Sequence, residues 1–244
     1  MESGGLPDIA SLSALIADPS RAAMLTALLG GIALPATDLA RQAGVTRQTA
    51  SAHLAQLVDG GLLRREAQGR HRYYSLANPD VADMLESLAL LAPRAPIRSL
   101  RMSHVATALA HARTCYDHLA GMLGVTLADR LVQDGLLAEA EGHWLLTAHG
   151  REVLTAWGLD LSRLERGKRP LIRRCLDWSE RRPHIAGALG AAITERCLAL
   201  GWLVRIPGGR GLRLTPVGHD GFREVFGLTL DVEAPGTGHT ASAV

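Results

Sequence analysis

Four side chains in the C-terminal half of the chain have types and spacing suited to binding a soft metal ion. Cys115 precedes His118 by three residues, a spacing that places both side chains on one face of a helix. Cys175 and His184 follow in the same order farther along. Thiolates and imidazoles are the ligands that thiophilic metal and metalloid ions prefer, and such an ion is the one cofactor that the sequence suggests. Two cysteines can instead form a reversible disulfide, and all four residues also suit a packed core, so three interpretations stay open.

The surrounding sequence repeats itself, which would bring these four residues together by pseudo-symmetry. Residues 118–124 resemble 184–190, and the similarity resumes between 146–150 and 214–218. The period of 60 to 70 residues exceeds that of common solenoid repeats. Each copy is predicted to run helix, helix, helix, strand, turn, strand, helix, which is a winged-helix-like order. The repeated Arg-x-Cys-x-Asp pattern at 113–117 and 173–177 suggests local ion pairs.

A second set of polar residues suits contact with nucleic acid. They follow Thr46, a predicted helix cap, on a predicted helix 47–59 whose apolar positions are Ala50, Leu54, Leu57 and Val58. The residues on the other face are Arg47, Gln48, Thr49, Ser51 and His53. Short or forked hydrogen-bonding side chains near a helix N-terminus match the base edges of a DNA major groove.

Basic residues cluster immediately after this helix. Residues 62–66 and 71–76 are predicted to be strands of a β-hairpin, which carries Arg64, Arg65, Arg70, His71 and Arg72. Such a hairpin can contact phosphates or the adjacent minor groove. Arg21, at the start of an earlier helix, is a further candidate for phosphate contact. The alternative for each feature is an ordinary solvated surface.

The elements that position these residues follow from helical periodicity and glycine breaks. Helices are predicted at 9–16, 21–29, 36–43, 47–59 and 80–91, and the Gly-containing turn between the third and fourth gives a helix-turn-helix. A Pro-rich stretch at 93–99 indicates a domain boundary. The predicted fold is mainly α with short β-hairpins (α+β), a winged helix-turn-helix followed by two winged-helix-like repeats.

Composition excludes several classes of protein. The 244 residues are 47% hydrophobic with a net charge of +2, which is too small to identify a nucleic-acid binder by itself. Three widely spaced cysteines do not suggest a secreted disulfide scaffold. Without a signal peptide or a long apolar stretch, a cytoplasmic location and no membrane partner are expected. No phosphate-binding loop, dinucleotide-binding turn or hydrolase motif is present, so no enzymatic activity is predicted.

The N-terminal pattern resembles the ArsR family of winged-helix repressors. The resemblance covers about 85 residues and rests on the segments 18–21, 38–40, 44–45, 46–57, 60–63 and 69–74. It implies a homodimer that associates through the first helix and the helix 80–91. It also implies binding to a roughly palindromic operator in double-stranded DNA, repression, and release by an inducer.

Two departures from the family pattern direct attention to the C-terminal half. Residues 34–38 contain no cysteine, although soft-metal sensors of the family carry Cys-x-Cys in the third helix. The helix 80–91 has Asp80, Asp83 and Glu86 but no histidine, so a second known metal site of the family is missing. We therefore expect any sensing to occur in the C-terminal half.

These observations divide the chain into four parts. We expect a DNA-binding domain at 1–92, a linker at 93–100, a duplicated effector or dimerisation domain at 101–232 and a disordered tail at 233–244. The predicted function is a DNA-binding regulator, a repressor released when the C-terminal domain senses a thiophilic ion or a change in thiol redox state. The alternatives are a regulator responding to an organic small molecule, and a DNA-binding protein with no effector, including an architectural one.

Overall fold

Two units make up the part of the chain that the computed structural model describes, residues 6–69 and 71–230. The first unit ends at Ala92 and also takes in Thr114–Asp117 and Ile206–Arg210. The second comprises Pro93–Arg113, His118–Arg205 and the chain from Gly211. The predictions for Arg70 and for the tail 233–244 lie outside the described residues.

The described residues of the first unit form five helices and a small antiparallel sheet. Its elements are α1 (Ile9–Ala17), α2 (Pro19–Leu28), β1 (Leu34–Pro35), α3 (Ala36–Ala43), α4 (Arg47–Asp59), β2 (Leu63–Gln68), β3 (His71–Leu76) and α5 (Pro79–Leu91). The strands lie in the order β1-β3-β2, with Leu34 opposite Tyr74 and Leu63 opposite Leu76. The predicted helix-turn-helix and hairpin are confirmed, while the two-residue strand β1 was not predicted.

Local sequence explains where these helices begin and end. Asp18 accepts hydrogen bonds from the backbone N–H groups of Ser20 and Arg21, both at 2.9 Å, and Pro19 occupies the first turn of α2. Asn78 caps α5 in the same way, accepting from Val81 N at 3.0 Å. These side chains satisfy backbone donors that a helix start leaves without partners.

The core of the first unit lies between its helices and the sheet. Its fully buried side chains include Met24, Leu25, Leu28, Leu39, Leu54, Leu57 and Leu76. Tyr116, from the later segment Thr114–Asp117, packs against this cluster, and its N–H donates to the Leu29 carbonyl at 2.8 Å. Arg210 and Glu86, both buried, form an ion pair in this unit.

The second unit alternates strand pairs with helices. Its elements are α6 (Leu100–His111), β4 (Arg113–Cys115, whose last two residues cluster with the first unit), β5 (His118–Ala120), α7 (Met122–Gln133), β6 (Leu137–Ala140), β7 (His143–Leu146), α8 (Ala148–Ala156), α9 (Leu161–Glu165), β8 (Arg173–Leu176), β9 (Pro183–Ala186), α10 (Gly187–Ala199), β10 (Leu203–Arg205), β11 (Leu212–Leu214) and α11 (Pro216–Phe226). Consecutive strands pair as four separate two-stranded sheets. Buried aromatic rings of Trp157, Trp202, Phe222 and Phe226 lie in its core.

The prediction that each of the two similar segments begins with consecutive helices is partly wrong. A strand pair, β4–β5 or β8–β9, stands where a helix was expected, so Cys115 and His118 lie on two strands and not on one helix face. The chain turns at Tyr116, whose φ of 61° is left-handed and cannot continue a helix. The coarser prediction of a mainly helical fold with short hairpins is confirmed.

No helix among the described residues combines the length and the apolar character needed to cross a membrane.

Candidate functional site

The helix α4 is buried along one face and exposed on the other. Ala50, Leu54 and Leu57 are fully buried. Thr46 caps the helix by accepting from Thr49 N at 3.2 Å, and the two threonine hydroxyls are 2.9 Å apart. Burial of one apolar stripe therefore fixes which side chains face solvent.

Five of the predicted contact residues lie together on that exposed surface. Thr46, Arg47, Gln48, Thr49 and Ser51 are all exposed at the start of α4. Forked donors and hydroxyls at a helix N-terminus form the chemical set that reads base edges in a major groove. We call these five residues the reading surface.

Arg21 and His53 do not join the reading surface. The Arg21 guanidinium donates from Nε to Leu15 O at 2.7 Å, from Nη2 to Ala14 O at 2.9 Å and from Nη1 to Gln56 Oε1 at 2.7 Å. These bonds tie α2 to the end of α1 and to α4. The Arg21 donors are therefore used within the protein, and its predicted phosphate contact stays a prediction.

His53 belongs to the same internal network. Its side chain is 18% exposed, with Nδ1 at 3.3 Å from Arg21 Nη1 and Nε2 at 3.9 Å from Asp18 Oδ1. The backbone N–H of Arg21 contributes most to holding the pKa of Asp18 below its ordinary value. His53 therefore lies at the flank of α4.

The hairpin β2–β3 presents basic residues on both of its faces. Arg65 stands opposite Tyr74 and Arg72 opposite Ala67, which places both exposed arginines on one face. Arg64, on the other face, donates from Nε to Ser75 Oγ at 2.7 Å and lies 3.7 Å from Glu66. His71 begins β3. Among the described residues of this hairpin, which we call the wing, Arg65 and Arg72 are therefore best placed to bind an anion.

The four predicted metal-ligating residues meet at the two leading strand pairs. Their potential ligand atoms, two thiol sulfurs and two imidazole nitrogens, all lie within 4.8 Å of one another. His118, Cys175 and His184 belong to the second unit. Cys115 lies in the short segment that joins two residues of that unit, Arg113 and His118. The cluster, which we call the Cys2His2 cluster, can therefore hold a metal ion.

Strand register explains this convergence. Cys175 in β8 stands directly opposite His184 in β9, so the two side chains share a face of the strand pair. The imidazole rings of His118 and His184 stack, with centroids 5.1 Å apart and planes at 30°. Cys115, His118 and His184 are buried and Cys175 is half-buried, so the cluster is largely shielded from water.

His184 has unsatisfied hydrogen-bonding capacity in this buried position. It is 1% exposed, and neither of its ring nitrogens makes a hydrogen bond with any described residue. Nδ1 lies 3.5 Å from the Asp177 carboxylate, so Nε2 is the buried nitrogen that most clearly indicates a missing ligand or a functional site.

Asp177 lies immediately beyond the cluster and is held by several donors. Its Oδ1 accepts from Arg113 Nη2 at 2.8 Å and from Ser179 N and Oγ at 2.8 and 2.6 Å, and its Oδ2 accepts from Gly121 N at 2.7 Å. Burial raises the pKa of this carboxyl, but the Arg113 charge and these hydrogen bonds outweigh burial and hold the pKa well below its usual range.

The sequence did not identify Asp177 as a neighbour of the site. The repeated Arg-x-Cys-x-Asp pattern suggested local ion pairs, but the observed buried pair joins Arg113 to Asp177, 64 residues away. The repeated Arg-x-Cys-x-Asp pattern was the feature of the sequence that could have identified Asp177.

Cys197 stands apart from the cluster. It is fully buried in the core of the second unit, and burial raises the pKa of its thiol to about 12. A thiol of this kind stays protonated and serves packing.

Comparison with known proteins identifies the family. A profile described as "Helix-turn-helix domain" matches residues 16–66, which run from the end of α1 into β2. YdfF of Bacillus subtilis, described as an uncharacterized HTH-type transcriptional regulator, is 43% identical over 218 residues, 89% of this chain and 96% of YdfF. The chain belongs to the helix-turn-helix transcriptional regulators of the ArsR type.

Other members of the family match a smaller part of the chain. The HTH-type transcriptional regulator CmtR of Mycobacterium tuberculosis is 39% identical over 80 residues, 33% of this chain and 67% of CmtR. A solution structure of CmtR, described as a cadmium metal-sensor, is 34% identical and covers 38% of this chain and 100% of CmtR, with a TM-score of 0.30. The predicted family is confirmed, and the relatives are regulators and not enzymes, as the sequence predicted.

Proposed function

We propose that this regulator is a homodimeric repressor that binds a specific operator through its first unit and releases it when the Cys2His2 cluster binds an effector. It acts in the cytoplasm, where it meets chromosomal DNA. The observation that carries the proposal is the convergence of two thiols and two imidazoles, all within 4.8 Å of one another, in a chain of this family. Residues so far apart in sequence converge in this way in ligand-binding and catalytic sites.

The DNA contacts are assigned to the reading surface and the hairpin. Arg47 and Gln48 each have forked polar ends that can pair with a base in two hydrogen bonds, and both are exposed. Arg65 and Arg72 in the hairpin, with Arg64, Arg70 and His71 as further candidates, supply contacts to phosphate. Sequence selectivity is thus assigned to α4 and general affinity to the wing.

Dimerisation is assigned to α1 and α5. Ile9 in α1 is 71% exposed and Leu91 in α5 is 83% exposed, and Leu88 is also exposed. Large apolar side chains on two helices of one unit favour burial against a second copy. A two-fold dimer would present two reading surfaces to two half-sites of a roughly palindromic operator.

The second unit is proposed to be a duplicated, winged-helix-derived sensor. Two reciprocal contacts support duplication: a Cβ added to Gly158 would lie 2.9 Å from Arg196 Nη2, and one added to Gly227 would lie 2.6 Å from Arg130 Nη2. Each arginine thus approaches the glycine that follows the last helix of the other copy. Exchange of equivalent contacts is what an internal two-fold relationship produces.

A redox effector is the second candidate. The Sγ atoms of Cys115 and Cys175 lie within 4.8 Å, and both residues are thiols in this structure. Oxidation to a disulfide would remove two electrons and two protons to a cellular oxidant and form one S–S bond.

Operator binding followed by fluorescence anisotropy tests the proposal. The DNA is the promoter region of the regulator's own gene, and the titrants are Zn(II), Cd(II), Cu(I), Hg(II), As(III), Sb(III) and an oxidant. We expect tight, specific binding that at least one titrant weakens in the natural protein and not in a Cys115→Ser/Cys175→Ser variant. Tight binding that no titrant changes would overturn the sensing role and leave an organic effector or none. A small ratio of specific to nonspecific affinity would indicate an architectural protein.

A further inference from the structure

Asp177 lies next to the cluster, close to one ring nitrogen of His184. Nδ1 of His184 lies 3.5 Å from Asp177 Oδ2, and the two side chains are 1% and 0% exposed. With Nδ1 directed at the carboxylate, Nε2 is the nitrogen left for the Cys2His2 cluster. A carboxylate behind a ligating histidine fixes the ring orientation and the tautomer.

The carboxylate is itself immobilised. Arg113, Ser179 and Gly121 all donate to it, and Arg113 lies over the Trp178 ring with its guanidinium carbon 4.3 Å from the centroid. Because Arg113 neutralises Asp177, this pair adds no net charge beside the cluster. The charge of the site is therefore set by its own four ligands and the ion.

Charge and ligand type select the ion. Two thiolates and two neutral imidazoles carry a charge of −2, so a divalent ion gives a neutral buried centre, whereas a monovalent ion leaves uncompensated charge. Zinc-class ions accept two sulfur and two nitrogen ligands in a tetrahedron. Zn–S bonds of about 2.3 Å and Zn–N bonds of about 2.0 Å place tetrahedral ligand atoms roughly 3.3–3.8 Å apart. The cluster, with all atoms within 4.8 Å, needs side-chain shifts of about 1 Å to reach that spacing.

We propose that the Cys2His2 cluster binds one divalent ion of the zinc class and that Asp177 is a positioning residue. When the ion is bound, Asp177 accepts a hydrogen bond from Nδ1–H of His184, which lies 3.5 Å from its Oδ2 in this structure, and so directs Nε2 to the ion. This inference rests on the proposed sensing function and adds to it the class of ion and the residue that tunes its affinity.

Cobalt(II) added to the metal-stripped full-length protein tests the class of ion. We expect one equivalent per chain to give the visible bands of tetrahedral cobalt with thiolate charge-transfer absorption, and Zn(II) to displace it. Octahedral cobalt spectra, or absence of binding, would overturn the inference.

Two variants test the role of Asp177. Asp177→Asn keeps the shape of the side chain but weakens the acceptor, so Zn(II) affinity should fall roughly 10- to 100-fold while the tetrahedral cobalt spectrum persists. Glu180→Gln is the matched control, because only the backbone of Glu180 bonds to Asp177, and it should bind like the natural protein. Equal affinity in all three proteins would overturn the positioning role.

A measurement on the natural protein covers the case in which Asp177→Asn fails to fold. In ¹⁵N NMR of the ¹¹³Cd-loaded protein, we expect cadmium coupling to Nε2 of His184 and a retained proton on Nδ1. Coupling to Nδ1 would overturn the assignment. Cobalt binding without any effect on operator affinity would reject the proposed function and leave this inference standing. Operator release by an oxidant, with no release by any metal ion, would reject this inference and leave the proposed sensing function standing.

Discussion

The imidazole rings of His118 and His184 stack at an angle of 30°, with centroids 5.1 Å apart. Both residues stand at equivalent positions of the similar segments 118–124 and 184–190. The stack lies beside two thiols in a largely buried position, and the ring nitrogens and sulfurs that could bind an ion are within 4.8 Å of one another. Because Cys175 is half-buried whereas Cys115 and Cys197 are buried, we expect the three thiols to react with an alkylating reagent at different rates.

Thiol labelling should separate these cysteines. Cys175 is half-buried and should react first with iodoacetamide, Cys115 more slowly, and Cys197 last because burial raises its pKa to about 12. Since only the thiolate reacts, Cys197 should stay unmodified when the pH is raised from 7 to 9. Peptide mass spectrometry measures each rate, and Cys175→Ser is the control that removes the fast phase. Rapid labelling of Cys197 in the folded protein would contradict the core assignment.

Substitutions on α4 and in the wing should affect DNA binding differently. Arg47→Ala and Gln48→Ala should each weaken specific operator binding by roughly 5- to 150-fold, which corresponds to the loss of about 1–3 kcal/mol per two-bond base contact. Nonspecific binding should change much less. Arg72→Ala should weaken both kinds of binding and lower the salt slope by about one. Anisotropy titrations at several salt concentrations give all three quantities, and equal losses for the three variants would argue against the reading surface.

Arg21→Ala should lower stability more than DNA affinity. The substitution removes the side-chain hydrogen bonds to Leu15 O, Ala14 O, Gln56 Oε1 and His53 Nδ1, and should lower the free energy of unfolding of the first unit by about 1–3 kcal/mol. Urea unfolding measures this change. Arg41→Ala, which removes an exposed arginine from the same unit, is the control and should cost little. A large loss of operator affinity with unchanged stability would return Arg21 to the DNA contacts.

Gly31 and Gly44 form a matched pair for testing a close backbone contact. Both have left-handed φ values, 67° and 66°. A Cβ on Gly31 would overlap the Tyr116 carbonyl, whereas one on Gly44 would meet nothing within 4 Å. Gly44→Ala should therefore cost about 1–2 kcal/mol from backbone strain alone, and Gly31→Ala a further 1–3 kcal/mol or so from overpacking. Equal unfolding free energies for the two variants would contradict the contact between Gly31 and Tyr116.

Local sequence signals were sufficient for the helix-turn-helix and the hairpin of the first unit. Thr46 and the following apolar stripe predicted helix 47–59 with the bounds that α4 has, because a capping residue and glycine breaks act within a few residues. The same signals placed strand β3 at 71–76. The sequence could not show the internal contacts of Arg21 and His53. The partners of Arg21 lie in α1 and α4, those of His53 lie at the start of α2, and all become neighbours only after packing.

The second unit depended more on distant contacts. Cys115 and His118 have helical spacing, but Tyr116 adopts a left-handed φ that a tyrosine rarely takes, and the chain forms strands. Asp177 was missed because its partner Arg113 is 64 residues away. The sequence similarity between 113–124 and 173–190 nevertheless pointed to the four residues that the structure brings together.

A stoichiometric titration tests the central claim most directly. Zn(II) is added to the metal-stripped regulator bound to labelled operator DNA, and anisotropy is recorded against equivalents of zinc per chain. We predict a fall in anisotropy that ends sharply at one equivalent, and a flat line for Cys115→Ser/Cys175→Ser. Release without a break at one equivalent, or the same release in the variant, would contradict control of DNA binding by the Cys2His2 cluster.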